Sequence, residues 1–135
     1  MKLAATPLAL VTAVLLCALG AACSAPSEPL KVTAIDLGIA VDDQNRVQSP
    51  SMTFSPGGAV YASIATEGSG TGTLAARWTD SDGRLLNEQT QTINTTKPAY
   101  FEFHFVPPGG WPRGRHKVVF TLDGGGTRTR EFEVR

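Results

Sequence analysis

GGWPRGRHKVVFTLDGGGTRTREFEV, residues 109–134, decides the fold. Apolar side chains recur at every second position in its middle: His116, Val118, Phe120 and Leu122 fall on one face of an extended chain. Asp123 and Gly124 follow as turn residues, and Phe132 and Val134 resume the same period on the way back. The stretch therefore predicts a loop feeding two strands that close a sheet.

Working outward, the same period repeats. AYFEFHFV (99–106) puts Phe101, Phe103 and Phe105 inward and Glu102 and His104 outward, the clearest alternation in the chain. TLAARWTD (73–80) alternates Leu74, Ala76 and Trp78, and Asp80-Ser81-Asp82-Gly83 reads as a turn into RLLNEQTQTI (84–93). Within that last segment NEQTQT (87–92) is polar on both faces, which predicts a strand at a sheet edge. Such polarity discourages unwanted pairing, although an edge can also accept a partner strand. Toward the N-terminus, VTAIDLGIAV (32–41) places Ile35, Leu37, Ile39 and Val41 on one face, and AVYASIAT (59–66) does the same with Val60, Ala62 and Ile64. A short strand is expected at Met52 to Phe54 between them. Helical spacing of three and four never persists past residue 30, so the expectation is an all-β antiparallel sandwich of seven or eight strands in one domain, residues 31–135.

GWPRGRHKVVFTLDG followed by REFEV resembles the C-terminal hairpin of bacterial Ig-like, fibronectin-type-III-like accessory domains. The upstream segments MTFSPGGAVYASIAT and ARWTDSDGRLL fit the same pattern, so the resemblance runs from about Lys31 to Arg135. It implies an Ig-like β-sandwich with Trp78 packed in its centre. Two positions depart from the pattern. His116 stands where the family has Tyr, and the paired cysteines of antibody domains are absent, so Trp78 is expected against aliphatic side chains. Such sandwiches host many unrelated roles, and the resemblance implies a fold more than an activity.

The N-terminus carries an address. Lys2 is followed by an uncharged, mostly apolar run ending in small residues, the pattern of a secretory signal over residues 1–22. LGAAC, Leu19 to Cys23, resembles the lipobox of bacterial lipoproteins, with Gly20 where that family prefers Leu. The resemblance implies cleavage before Cys23, a diacylglycerol thioether on its sulfur and, with Ser24 next, transfer to the outer membrane of a Gram-negative host. It also accounts for the cysteine count: Cys17 leaves with the signal, and Cys23 would otherwise be an unpaired thiol in an exported protein. Residues 23–30 then form the lipidated cysteine and a short tether, with SAPSEP (24–29) reaching at most about 20 Å. Two other readings of the run remain open: an uncleaved membrane span from Leu3 to Cys23, and ordinary cleavage after Ala22 that releases a soluble protein.

Charge and composition exclude several functions. The full chain has 12 basic and 12 acidic residues, and removal of the signal takes away only Lys2, so a nucleic-acid partner is not expected. No metal or cofactor is expected either. His104 and His116 fall on different strands, and the Asp80 turn has Arg84 where a calcium loop needs its third ligand. EGSGTGT (67–73) faintly echoes a nucleophile elbow but lacks the strand-to-helix turn, and reads as a flexible loop. Asn94-Thr95-Thr96 matches a glycosylation sequon and more plainly marks a turn.

What remains is surface. Trp111, Arg113, Arg115 and Lys117, with Arg128 and Arg130 on the returning strand, make the closing hairpin locally basic, opposite in sign to Asp36, Asp42 and Asp43. They form a candidate binding surface for phospholipid head groups or an acidic partner. The same residues also read as a Trp111 buried in the corner and arginines on a solvated face. The expectation is a membrane-anchored, non-catalytic binding or assembly module of the bacterial cell envelope, with an unidentified envelope protein as partner. The rival is an accessory subunit or small enzyme with a site in two strand-end loops, EGSGTGT and PPGGWPRG (107–114).

Overall fold

The computed structural model describes residues 28–123 and 126–135. The proposed signal, Cys23 and most of the tether lie outside the described residues. Eight strands follow in order: β1 (Lys31–Gly38), β2 (Thr53–Phe54), β3 (Val60–Glu67), β4 (Gly70–Thr79), β5 (Leu85–Thr95), β6 (Ala99–Phe105), β7 (Gly114–Leu122) and β8 (Gly126–Val134). They form two sheets, one of three strands in the order β1-β3-β6 and one of five in the order β2-β8-β7-β4-β5.

The alternating pattern becomes the core. Val60, Ala62 and Ile64 of β3 face Leu74, Ala76 and Trp78 of β4 and Val118, Phe120 and Leu122 of β7, all buried. Each fully buried aliphatic or aromatic side chain contributes about 1.5–3 kcal/mol relative to an exposed one, and this apolar layer is what joins the two sheets. Trp78 sits at the aromatic centre, with Phe105, Trp111 and Phe132 at ring-centroid distances of 5.9, 6.0 and 6.3 Å. These rings add to the aliphatic neighbours that were expected, among them Val118, its cross-strand partner on β7.

Three expectations about the backbone need correction. In β1 the inward set is Val32, Ile35 and Leu37, because the register shifts between Val32 and Ala34 and resets the alternation. Ile39, expected inward, is 70% exposed. The strand ends at Gly38, whose bare Cα is packed by Val47 from a hairpin closed by Asp42 N–H to Arg46 O at 2.9 Å. The sandwich is also not wholly antiparallel: β2 pairs in parallel with β8, Phe54 opposite Val134. That follows from the course of the chain, since β1 and β8 run in the same direction on facing edges and β2 continues the direction of β1 after crossing sheets. Finally, EGSGTGT is not a loop. Only Gly68 and Ser69 connect β3 to β4, and Thr71, Gly72 and Thr73 pair with Asn94, Ile93 and Thr92 of β5.

Long side chains close both open flanks of the sandwich. Gln89 and Gln91 of β5 donate to the His104 and Glu102 carbonyls of β6 at 2.8 and 2.6 Å. On the opposite flank Arg130 Nε donates to the Ile35 carbonyl of β1 at 3.1 Å, with Arg128 Nη1 at 3.5 Å from the Thr33 carbonyl. β5 is indeed an edge strand, as its polarity predicted. Alternate residues of that polar run nevertheless point between the sheets and satisfy the backbone of a neighbouring edge.

Candidate binding surface at one end of the sandwich

The connections sort into two ends. Residues 28–30, the Gly68-Ser69 turn, residues 96–98, Asp123 and the start of β8 at Gly126 lie at one, here the proximal end. The segments 39–52, 55–59, 80–84 and 106–113 leave from the other, the distal end. β3 joins the two, and its eight residues span about 26 Å. EGSGTGT and PPGGWPRG are thus at opposite ends, and a site assembled from both is ruled out.

The loop before β7 is folded onto the core. Gly110 has φ of 90°, open to glycine alone at low cost, and a Cβ there would collide with the Pro56 carbonyl. The close approach lets Trp111 N–H donate to Pro56 O at 2.7 Å and Trp111 Nε1 donate to Gly58 O at 2.9 Å. Trp111 is consequently 3% exposed, edge-on to Phe105 and Phe132. It belongs to the core and is removed from the candidate surface.

His116 takes up the role that the resemblance gives to Tyr. It lies at the start of β7, and its Nε2 is 2.7 Å from the carbonyl of Pro112, four residues upstream. Because a carbonyl only accepts, Nε2 carries the proton. This reproduces the backward hydrogen bond of a tyrosine corner with an imidazole. The ring stacks on Phe132 at 5.4 Å, and Nδ1 is buried without a hydrogen-bond partner. His104 is remote from it in kind and in place: it is exposed on β6, stacked on Tyr61 and bonded to Glu102. The two histidines do not converge. No group of three or more His, Cys, Asp or Glu suited to a metal occurs among the described residues.

The expected basic patch is divided by the pleat. Arg115 and Lys117 are on the outward face of β7, directly opposite Glu133 and Glu131 of β8, so the cations alternate with carboxylates. Arg128 and Arg130 occupy inward positions, opposite Phe120 and Val118, and leave the sandwich sideways to reach β1. Arg113 is exposed in the loop before β7. The surface expected from these six residues is therefore not one surface.

The distal end instead holds an open cleft of about 660 Å³, between the Asp80–Gly83 turn and the start of β7. Asp80 and Asp82, Arg115, His116 and Lys117, and Glu131 line it. Asp80 is structural: its Oδ1 accepts from the Asp82 and Arg84 amides, both at 2.9 Å. The Arg84 amide foremost, with the Asp82 amide and nearby positive charge, holds its carboxyl below the usual aspartate value of 3.8. Asp82, Arg115, Lys117 and Glu131 are left to present mixed charge to a ligand. Periodicity located Arg115 and Lys117 but not the carboxylates, since only the fold brings residues 82 and 131 together.

No protein-family model matches the chain, and no curated protein matches it. Solved structures do. An immunoglobulin-like protein of Pseudomonas aeruginosa superposes with a TM-score of 0.53 at 10% identity, covering 82% of this chain and 100% of that one. The chain folds as an Ig-like β-sandwich. A CARDB domain from Pyrococcus furiosus, solved in complex with di-metal ions, gives 0.51 at 10% identity over 82% of this chain and 90% of its own. At this identity the likeness concerns the Ig-like fold alone.

Proposed function

We propose that the chain is a lipid-anchored Ig-like module of the bacterial cell envelope that binds a protein partner through its distal cleft and performs no catalysis. The observation that carries this reading is the cleft itself. It sets Asp82 and Glu131 beside Arg115 and Lys117 on a fully packed scaffold, at the end opposite the N-terminal segment. Interspersed charges of both signs favour recognition of a complementary polar surface over attraction to any single field. The anchoring part of the reading rests on LGAAC and on the lone cysteine that would remain after cleavage. Two or three acyl chains, at about 0.8 kcal/mol per buried CH₂, hold a protein on a membrane stably. In a Gram-negative host Ser24 favours the outer membrane.

Two measurements test the two halves. The intact mass of protein taken from host membranes is expected to lack residues 1–22 and to carry acyl groups on Cys23. Recovery of partners from envelope extracts is expected to fall at least tenfold for Arg115→Ala/Lys117→Ala relative to wild type. Equal recovery would remove the cleft from the account.

A further inference from the structure

The tether is shorter than its composition suggests. SAPSEP reads as six free residues, yet its last two are already part of the folded body. Ser69 N–H donates to Glu28 O at 2.9 Å, and Pro29 bridges Ser69 in parallel register. Gly68 makes this possible: its φ of 87° turns the chain, and a Cβ at that position would overlap the Pro29 carbonyl. Leu30 packs on the core immediately after. The backbone is thus fixed from Glu28 onward, at the proximal end.

From this we infer that the sandwich has a set orientation on a lipid surface, its proximal end facing the bilayer and its distal end facing away. The inference rests on the anchoring proposed above. Between Cys23 and Glu28 the chain takes five Cα steps, at most about 17 Å fully extended. The ten-residue strand β4 alone is about 33 Å long. A leash half the length of the body, attached at one end, keeps that end within about 17 Å of the headgroups, and the distal end reaches them only if the whole body tips onto one of its sheets. Lys31, Lys97 and Arg128 accompany Glu28, Glu67 and Asp123 near the proximal end, so no dominant charge repels it from anionic lipid. The partner surface this assigns is a phospholipid headgroup layer, met by the Gly68-Ser69 turn, residues 96–98 and Asp123.

The mature chain suits a direct test, because acylation consumes Cys23 and no other cysteine follows it. Single cysteines introduced by Thr96→Cys at the proximal end, Thr90→Cys and Asp36→Cys at mid-height, and Val106→Cys at the distal end would carry a fluorophore. The acylated proteins would be placed in phosphatidylcholine vesicles doped with a headgroup-nitroxide lipid. Quenching is expected to be at least threefold stronger at Thr96 than at Val106, with the mid-height sites close to Val106. In a Gly68→Ala background, which frees Glu28 and Pro29 and lengthens the leash, the contrast is expected to shrink. Equal quenching at all sites of an acylated chain, or strongest quenching at Thr90 or Asp36, overturns the orientation. A chain whose mass shows no acyl groups overturns the anchoring reading instead, so the two failures are distinguishable.

Discussion

Gln89 completes the hydrogen bonding of Trp78: its Oε1 accepts from the indole Nε1 at 2.9 Å while its Nε2 donates to the His104 carbonyl at 2.8 Å. One edge side chain thereby satisfies the indole N–H of a fully buried tryptophan and a carbonyl of the opposite sheet. Gln89→Ala would leave both without a protein partner. The expected cost is about 1–3 kcal/mol of unfolding free energy, read from the midpoint of urea denaturation. Thr90→Ala, one position along and facing solvent, is expected to change little; equal effects would deny Gln89 its bridging role.

His116 permits a two-variant comparison. His116→Ala removes a ring packed between Trp111 and Phe132 and unpairs the Pro112 carbonyl, for an expected loss of about 2–4 kcal/mol. His116→Phe keeps a ring in place and deletes the unpartnered Nδ1 along with the useful Nε2. It is expected to cost less than half as much by the same denaturation measurement. If the two variants are equally damaging, the hydrogen bond and not the packing dominates.

Acid sensitivity follows from the turns. Asp80 and Asp42 each accept backbone amides two and four residues ahead, which lowers their affinity for a proton in the folded state. A carboxyl with a depressed folded-state value stabilises the fold above its unfolded value, near 3.8, and loses that contribution as pH falls through the lower folded value. Asp80→Asn is therefore expected to flatten the loss of stability below about pH 4. Urea midpoints of wild type and variant across pH 2–6 check it, and parallel curves would count against the turn.

Legibility in the sequence varied with the physical source of each feature. The inward sets of β3, β4, β7 and β8 could be read directly, because an undisturbed pleat has a period of two. β1 could not, because its register shift between Val32 and Ala34 is set by pairing with β3 and leaves no local mark. The roles of Gln89, Gln91 and Arg130 were hidden for another reason: polar residues at inward positions look like surface until the neighbouring sheet edge is in place. Cations that are neighbours along the chain are parted by the pleat, so the hairpin's basic residues do not share a face. Residues 115 and 117 face one way, while 128 and 130 face the other.

Gly68→Ala addresses the docked N-terminal segment on its own. The strained φ and the overlap with Pro29 are expected to cost more than 1 kcal/mol. The damage should be local, seen as faster hydrogen exchange at the Ser69 amide while amides in the middle of β7 stay protected. Unchanged exchange at Ser69 would mean that Glu28 is not held there.

The seven-pair ladder between β1 and β3 has a mechanical side. A pull applied at Glu28 against a load at the far end runs along the axis of β1, so its rungs are strained together in shear and do not open one after another like a zipper. Because the flank of β1 is also clamped by Arg130, tension that enters at Glu28 is shared between that ladder and the clamp.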